Sequence, residues 1–324
     1  MRALVCRELG PADRLRIEDV AEPEPGPGEV VVDVVAAGLN FPDTLIIQGS
    51  YQFQPELPFT PGAEAAGTVS AVGEDVTGVA VGDRVVALGL FGAFAEKWKV
   101  PADGLIPIPE AMTEEQAAGF GLTYGTAYHA LKDRAGLEAG EDLVVLGAAG
   151  GVGSAAVEIG KAMGARVIAA ASTDEKLAFC RELGADDVIN YSTEDLKTRI
   201  RELTGGKGAD VVYDPVGGPY TEPALRSTAF GGRFLVIGFA SGEIPAIPLN
   251  LPLLKVNSIV GVFWGSWSRR DPAASRRNFA ELVQMVEEGR LSPRVTQVFD
   301  LDDFVEAFAT LSGRRAVGKV LLRP

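Results

Sequence analysis

The 324-residue chain is 47% hydrophobic and 23% charged, the make-up of a globular protein long enough for two domains with cores of their own. Its 44 acidic and 30 basic side chains leave a formal charge of −14, which argues against nucleic-acid binding; Arg269–Arg270 and Arg276–Arg277 form a local basic patch within that acidic whole. Two cysteines, Cys6 and Cys180, cannot build a disulfide framework or a cysteine-rich zinc lobe, and no stretch of eighteen apolar residues suggests a membrane span.

The N-terminus, MRALVCRELG, alternates like a first strand and lacks a signal-peptide core, so a reduced, cytoplasmic protein is expected. Residues 30–37, 65–73 and 82–88 are short extended runs punctuated by glycine, the pattern of a compact, barrel-like β domain. Near Thr113 the pattern changes. Helical periodicity carries residues 114–131, and strands then alternate with helices: strands at 142–146, 166–171, 187–189, 211–214 and 233–237, helices at 153–163, 174–183, 193–204 and 219–228. Such a βαβαβ series predicts a parallel, doubly wound sheet. Helices at 273–288 and 301–311 and a strand at 319–322 form a tail too small for its own core, expected to return to the N-terminal domain. The predicted division is 1–122 with 263–324, and 123–262.

The first strand of the alternating region runs into Gly147-Ala148-Ala149-Gly150-Gly151-Val152-Gly153, and a helix follows. This is a dinucleotide fingerprint with Ala148 where G-x-G-x-x-G has its first glycine. Gly150 lets the backbone approach a pyrophosphate, Gly153 lets the helix pack close, and the helix N-terminus offers unpaired N–H groups to the anion. Ala148 is compatible with this if its φ stays negative. The next strand ends at Ala171, where an NAD site carries an acid for the ribose hydroxyls; Ser172, Lys176 and Tyr191 instead suit a 2′-phosphate, so NADPH is expected over NADH.

His129, the only histidine, fits a packed core position better than a metal site. Asn40 and Asp43 share a turn after a strand, Glu64 follows Pro61-Gly62-Ala63, and Tyr51 lies in a glycine-serine loop. From the residues alone these are either loop polar groups or the lining of a substrate pocket.

The stretches GLNFPDTLIIQGSY (38–51), PGAEAAGTVSAVGEDVTGVAVGDRVVAL (61–88), GLTYGTAYHAL (121–131), GAAGGVGSAAVEIGKAMGARVIAAASTDEK (147–176) and GADDVINY (184–191) together resemble the medium-chain dehydrogenase/reductase superfamily, in its zinc-independent quinone oxidoreductase, or ζ-crystallin-like, branch. The resemblance implies an α/β protein: a GroES-like β-rich catalytic domain with an inserted Rossmann nucleotide-binding domain. Zinc relatives carry a cysteine and a histidine at the positions of Asn40 and Ala63, so no metal is expected. The branch typically carries A-A-G-G-V-G, which matches residues 148–153. By the same match Asn40 and Tyr51 fall on pocket residues, with Asp43 supporting the loop. Thr126, Ala149, Gly150, Gly151, Val152, Ser172, Lys176 and Tyr191 fall on the cofactor site, joined by Lys319 or Arg315 from GRRAVGKVLL (313–322). The implied activity is hydride transfer from NADPH to a quinone. An enone or enoyl-thioester reductase is the alternative within the superfamily, and an NADPH-binding structural or adaptor protein the alternative of another class. A homodimer is implied, joined near Ile244–Leu249.

Overall fold

A computed structural model describes all residues from Met1 to Pro324, and the chain divides into two compact units, Met1–Leu122 with Pro293–Pro324, and Thr123–Ser292. No helix is long and apolar enough to cross a membrane.

The first unit is built on a seven-stranded sheet whose axis is the long strand Glu29–Leu39. Its valine-rich first half pairs antiparallel with Lys97–Pro101, its alanine- and glycine-rich second half with Lys319–Arg323, and Glu64–Val72 runs beside most of its length. Register shifts at Val31/Val32 and Val34/Ala36 mark β-bulges, which strengthen the local twist and bend the strand. Leu4, Val32, Leu39, Phe59, Phe94, Trp98, Phe304 and Phe308 fill the core. The C-terminal strand matters most for function: Val320 is paired with Leu39, which brings Lys319 beside the turn at Asn40.

The second unit contains a six-stranded, wholly parallel sheet in the order Asp187–Asn190, Arg166–Ala171, Asp142–Leu146, Ala209–Asp214, Thr228–Val236, Ser258–Gly261. Numbered within the unit this is 3-2-1-4-5-6, the dinucleotide-binding arrangement, with the switch point beside Asp142–Leu146. Residues 143–146 and 167–170 are wholly buried, as continuous apolar runs covered on both faces must be.

Three expectations need correction. The tail returns to the first unit at Pro293 rather than at residue 263, because the helices Trp264–Arg270 and Pro272–Glu287 belong to the second unit. There Trp264 and Phe279 close on Gly125, where a Cβ would lie 2.8 and 3.0 Å from their rings, an apolar contact within the second unit. The predicted helix over 114–131 breaks at Gly119 into Glu114–Ala118 and Gly121–Tyr128. Finally, 244–249 is irregular, its prolines lacking the N–H a strand needs; the edge strand is Ser258–Gly261.

Candidate functional site

The fingerprint turn solves its geometry one residue earlier than the motif suggests. The left-handed conformation falls on Gly147, with φ +56°, while Ala148 is outside that region and wholly buried, so its methyl group costs nothing. The Ala148 N–H donates to the Ala170 carbonyl at 3.0 Å and the Gly150 N–H to the Gly147 carbonyl at 2.9 Å. A Cβ on Gly153 would collide with the Gly147 carbonyl and lie 2.9 Å from the Ala148 Cα; the third glycine is required for the helix to start this close to the strand. On Gly150 a Cβ would meet only the Gly147 oxygen, at 3.4 Å, so the space in front of that residue is open. Gly150 caps the helix Gly151–Ala162 with backbone alone, and the first-turn N–H groups have no intrahelical acceptor. An anion there meets donors and the positive end of the helix dipole. Gly150, Gly151 and Val152 thus offer an open, backbone-lined space that could receive a pyrophosphate, and Ala149 beside them is buried.

The second strand's end is equally suited to a phosphate. Ala171 is buried and carries no carboxylate, and half-buried Ser172 follows. Thr173 caps the helix Asp174–Glu182 by accepting from the Lys176 N–H at 3.3 Å. Burial pushes the Lys176 ammonium below the ordinary lysine value, a shift that a bound phosphate would reverse. The Tyr191 ring lies 4.4 Å from that of Tyr220, and the Tyr191 N–H donates to the Ala171 carbonyl at 3.1 Å, which brings the ends of the two strands together. Asp174 accepts from the Asn190 side-chain amide at 2.9 Å. Thr126 is half-buried on the helix Gly121–Tyr128 of the same unit.

In the first unit the turn after Glu29–Leu39 holds a closed polar network. Asn40 and Asp43 are tied together at the start of the helix Phe41–Ile46: Asp43 Oδ2 accepts from the Asn40 N–H at 2.8 Å, and the Asp43 N–H donates to the Asn40 backbone carbonyl at 3.0 Å. Asp43 is fully buried, and desolvation raises its carboxyl to about 7 against the opposing pull of the Asn40 N–H and the Lys319 charge. Glu64, with no exposed surface, accepts through Oε1 from Lys319 Nζ at 2.7 Å and from Asn40 Nδ2 at 2.9 Å, and through Oε2 from the Leu122 N–H at 2.8 Å. Lys319 completes its three bonds on Asn40 Oδ1 at 2.6 Å and the Leu39 carbonyl at 3.1 Å. The amide orientation of Asn40 follows, since the ammonium must face an acceptor. A Cβ on Gly38 would collide with Glu64 Oε1 and lie 2.5 Å from the Ala118 carbonyl, so glycine is what admits the carboxylate.

Two expected roles change. Asn40 donates both amide hydrogens internally, the second to the Gly38 carbonyl at 3.0 Å, rather than presenting a free donor. Lys319 is the hub of this network with all three protons used, and Arg315 of the same segment is exposed. Tyr51 is half-buried against the first unit's core. No three His, Cys, Asp or Glu side chains are grouped as a metal ligand set. His129 is buried against Trp267, with Nδ1 2.8 Å from Asp133 Oδ2.

A family model for the alcohol dehydrogenase GroES-like domain matches residues 26–110, and one for zinc-binding dehydrogenases matches residues 151–288. Quinone oxidoreductase-like protein 2 of Bos taurus is 41% identical over 322 residues, covering 99% of this chain and 92% of that protein. Among solved structures, a mycobacterial protein complexed with NADPH aligns with a TM-score of 0.94 at 34% identity, covering 100% of both chains. Escherichia coli quinone oxidoreductase complexed with NADPH aligns with a TM-score of 0.93 at 32% identity, again covering 100% of both chains. The chain belongs to the medium-chain dehydrogenase/reductase superfamily, in its zinc-independent quinone-oxidoreductase-like family. It has the fold of that superfamily, a GroES-like domain and a Rossmann domain.

What the residue-level reading missed in this quinone-oxidoreductase-like chain is the partnership of Glu64 with Lys319. The two are 255 positions apart in the chain. The available signal was Gly38, a glycine within the strand Glu29–Leu39, which marks a close approach.

Proposed function

We propose that this protein reduces quinones and related conjugated carbonyls with NADPH, without zinc. The observation that carries the reading is the pair of anion sites in the Rossmann domain: the open cradle at Gly150, and the carboxylate-free strand end at Ala171 flanked by Ser172, Lys176 and Tyr191. The NADPH-bound relatives support the same cofactor. NADPH supplies a hydride, and a quinone that accepts it together with one proton becomes a hydroquinone. The chain's task is to hold the nucleotide, orient the acceptor and stabilise the oxygen that gains negative charge.

Tyr51 donates a hydrogen bond or proton to the acceptor through its phenol. Asn40 contributes through the N–H that it now shares with the Gly38 carbonyl. That neutral bond is the weaker of its two and the one that can be exchanged for an acceptor oxygen, whereas the bond to the Glu64 carboxylate is charge-assisted. Asp43 fixes the turn.

The test is a steady-state panel of NADPH with 1,4-benzoquinone, 1,2-naphthoquinone, a simple enone and crotonyl-CoA, plus an alcohol with NADP⁺. Quinones turning over fastest supports the proposal. Crotonyl-CoA winning by two decades reassigns the protein to enoyl-thioester reduction. Alcohol oxidation beating every conjugated acceptor, or no turnover with any, overturns a reductase.

A homodimer formed edge to edge along Ser258–Gly261 fits the apolar surface there: Leu249, Leu253 and Val256 are 79%, 76% and 64% exposed, and Ile259 lies on the strand itself. Light scattering at twice the 34.0 kDa chain mass supports it, and a monomer removes it. A cytoplasmic location fits the two buried, unpaired cysteines; fractionation tests it.

A further inference from the structure

The helix that opens the second unit changes its winding at His129. Gly121–Tyr128 is α-helical, but His129–Arg134 is a π-helical turn, with the Ala135 N–H donating to the Ala130 carbonyl at 2.9 Å. In an α-helix, positions five apart point about 140° away from each other; a π turn, bonded i to i+5, brings them onto one face. His129 and Arg134 therefore line the same pocket, of about 310 Å³, with Phe263, Ser266, Trp267 and Arg270. Such turns are uncommon and concentrate at functional sites.

The walls are chemically divided. Trp267 stacks on the His129 ring, with centroids 3.9 Å apart and planes 20° apart, so one aromatic surface is rigid. His129 is locked through Nδ1 by Asp133, whose Oδ2 also accepts from Asn278 Nδ2 at 2.8 Å. Arg134 donates through Nε to the Gly261 carbonyl at 3.2 Å; the rest of its guanidinium and the whole of Arg270 pair with no carboxylate. The nearby acids are otherwise engaged: Asp133 as described, and Asp271 as the cap of Pro272–Glu287. Two guanidinium groups without a carboxylate partner thus share a lining with Phe263, Trp267 and His129, in a chain of net charge −14.

We propose that this pocket binds a planar aromatic carboxylate, its ring against Trp267 and Phe263 and its carboxylate held by Arg134 and Arg270. None of its residues belongs to the glycine turn or to the Ala171–Lys176 end. The probe is 2-naphthoate, titrated calorimetrically into the full chain saturated with NADPH, with 2-naphthol and acetate as controls lacking the charge and the ring. One site per chain is expected, and Arg134→Gln and Arg270→Gln should each weaken it by about tenfold, the loss of one charge-assisted contact. Both variants should keep the parent's unfolding midpoint and its NADPH turnover without naphthoate. Affinity unchanged in both variants, 2-naphthol binding as tightly as 2-naphthoate, or no saturable binding up to about 1 mM would each overturn the proposal. All three readouts are independent of whether quinones are the physiological acceptors.

Discussion

The turn around Gly150 and the network beneath Gly38 both depend on a missing Cβ, yet the first keeps its donors unpaired and the second leaves none unpaired. In the Rossmann domain the empty space faces outward, so unsatisfied N–H groups are available to an anion that arrives with its own charge. In the GroES-like domain the space is filled from within by a carboxylate, and an ammonium from the far end of the chain neutralises it. An open site is adaptable and contributes little to folding. A closed ionic one fixes geometry and is costly to break.

The largest expected effect comes from opening the closed network. Glu64→Ala strands the Lys319 ammonium, 5% exposed, without its counter-charge, and should cost about 3–5 kcal/mol of stability in urea denaturation, whereas Glu64→Leu with Lys319→Met should cost clearly less. Equal losses in the single and double variants would mean the pair is not coupled.

The next effect is a pH dependence set by Asp43. Its carboxyl is raised to about 7 in the folded chain, against about 3.9 unfolded. The native state therefore binds more protons between these limits, so its stability falls as pH rises from about 4 to about 7 and levels off above. Asp43→Asn, which keeps an acceptor for the Asn40 N–H, should remove this segment. Parallel wild-type and variant stability curves across the window would refute it.

The two glycines of the open site should separate stability from binding. Gly153→Ala meets backbone on two sides and should cost about 1–3 kcal/mol of stability. Gly150→Ala has space and an ordinary φ of −81°; it should stay within about 0.5 kcal/mol of the parent yet weaken NADPH about tenfold, read by fluorescence titration. Lys176→Ala should cost about 1–3 kcal/mol of NADPH affinity and little with NADH, as a contact to the 2′-phosphate would; equal losses for both cofactors would place the ammonium elsewhere. The smallest effect is expected at Tyr51, where Phe should slow quinone turnover about tenfold, because hydroquinone oxygens also take protons from solvent.

The nucleotide half was the more legible because its signals are local. Alternating apolar runs, a glycine turn between a strand and a helix, and Ala171 at the end of the next strand lie within about thirty residues and describe contacts made by the backbone there. The sixth strand, Ser258–Gly261, escaped notice because four residues carry too little periodicity.

From the sequence alone came the two-domain α/β order and the fingerprint with its tolerated Ala148, and the family resemblance added that Asn40 and Ala63 stand where zinc relatives carry ligands. The partners of the titratable groups came only with the fold. Glu64, Asn40 and Lys319 meet because Lys319–Arg323 pairs with the end of Glu29–Leu39, a contact spanning nearly the whole chain. The two units exchange at Pro293, with Trp264 and Phe279 packed on Gly125 within the second. Local spacing specifies which backbone can form; long-range pairing decides which buried charges neutralise one another, because a buried ion is tolerated only where a partner is already in place.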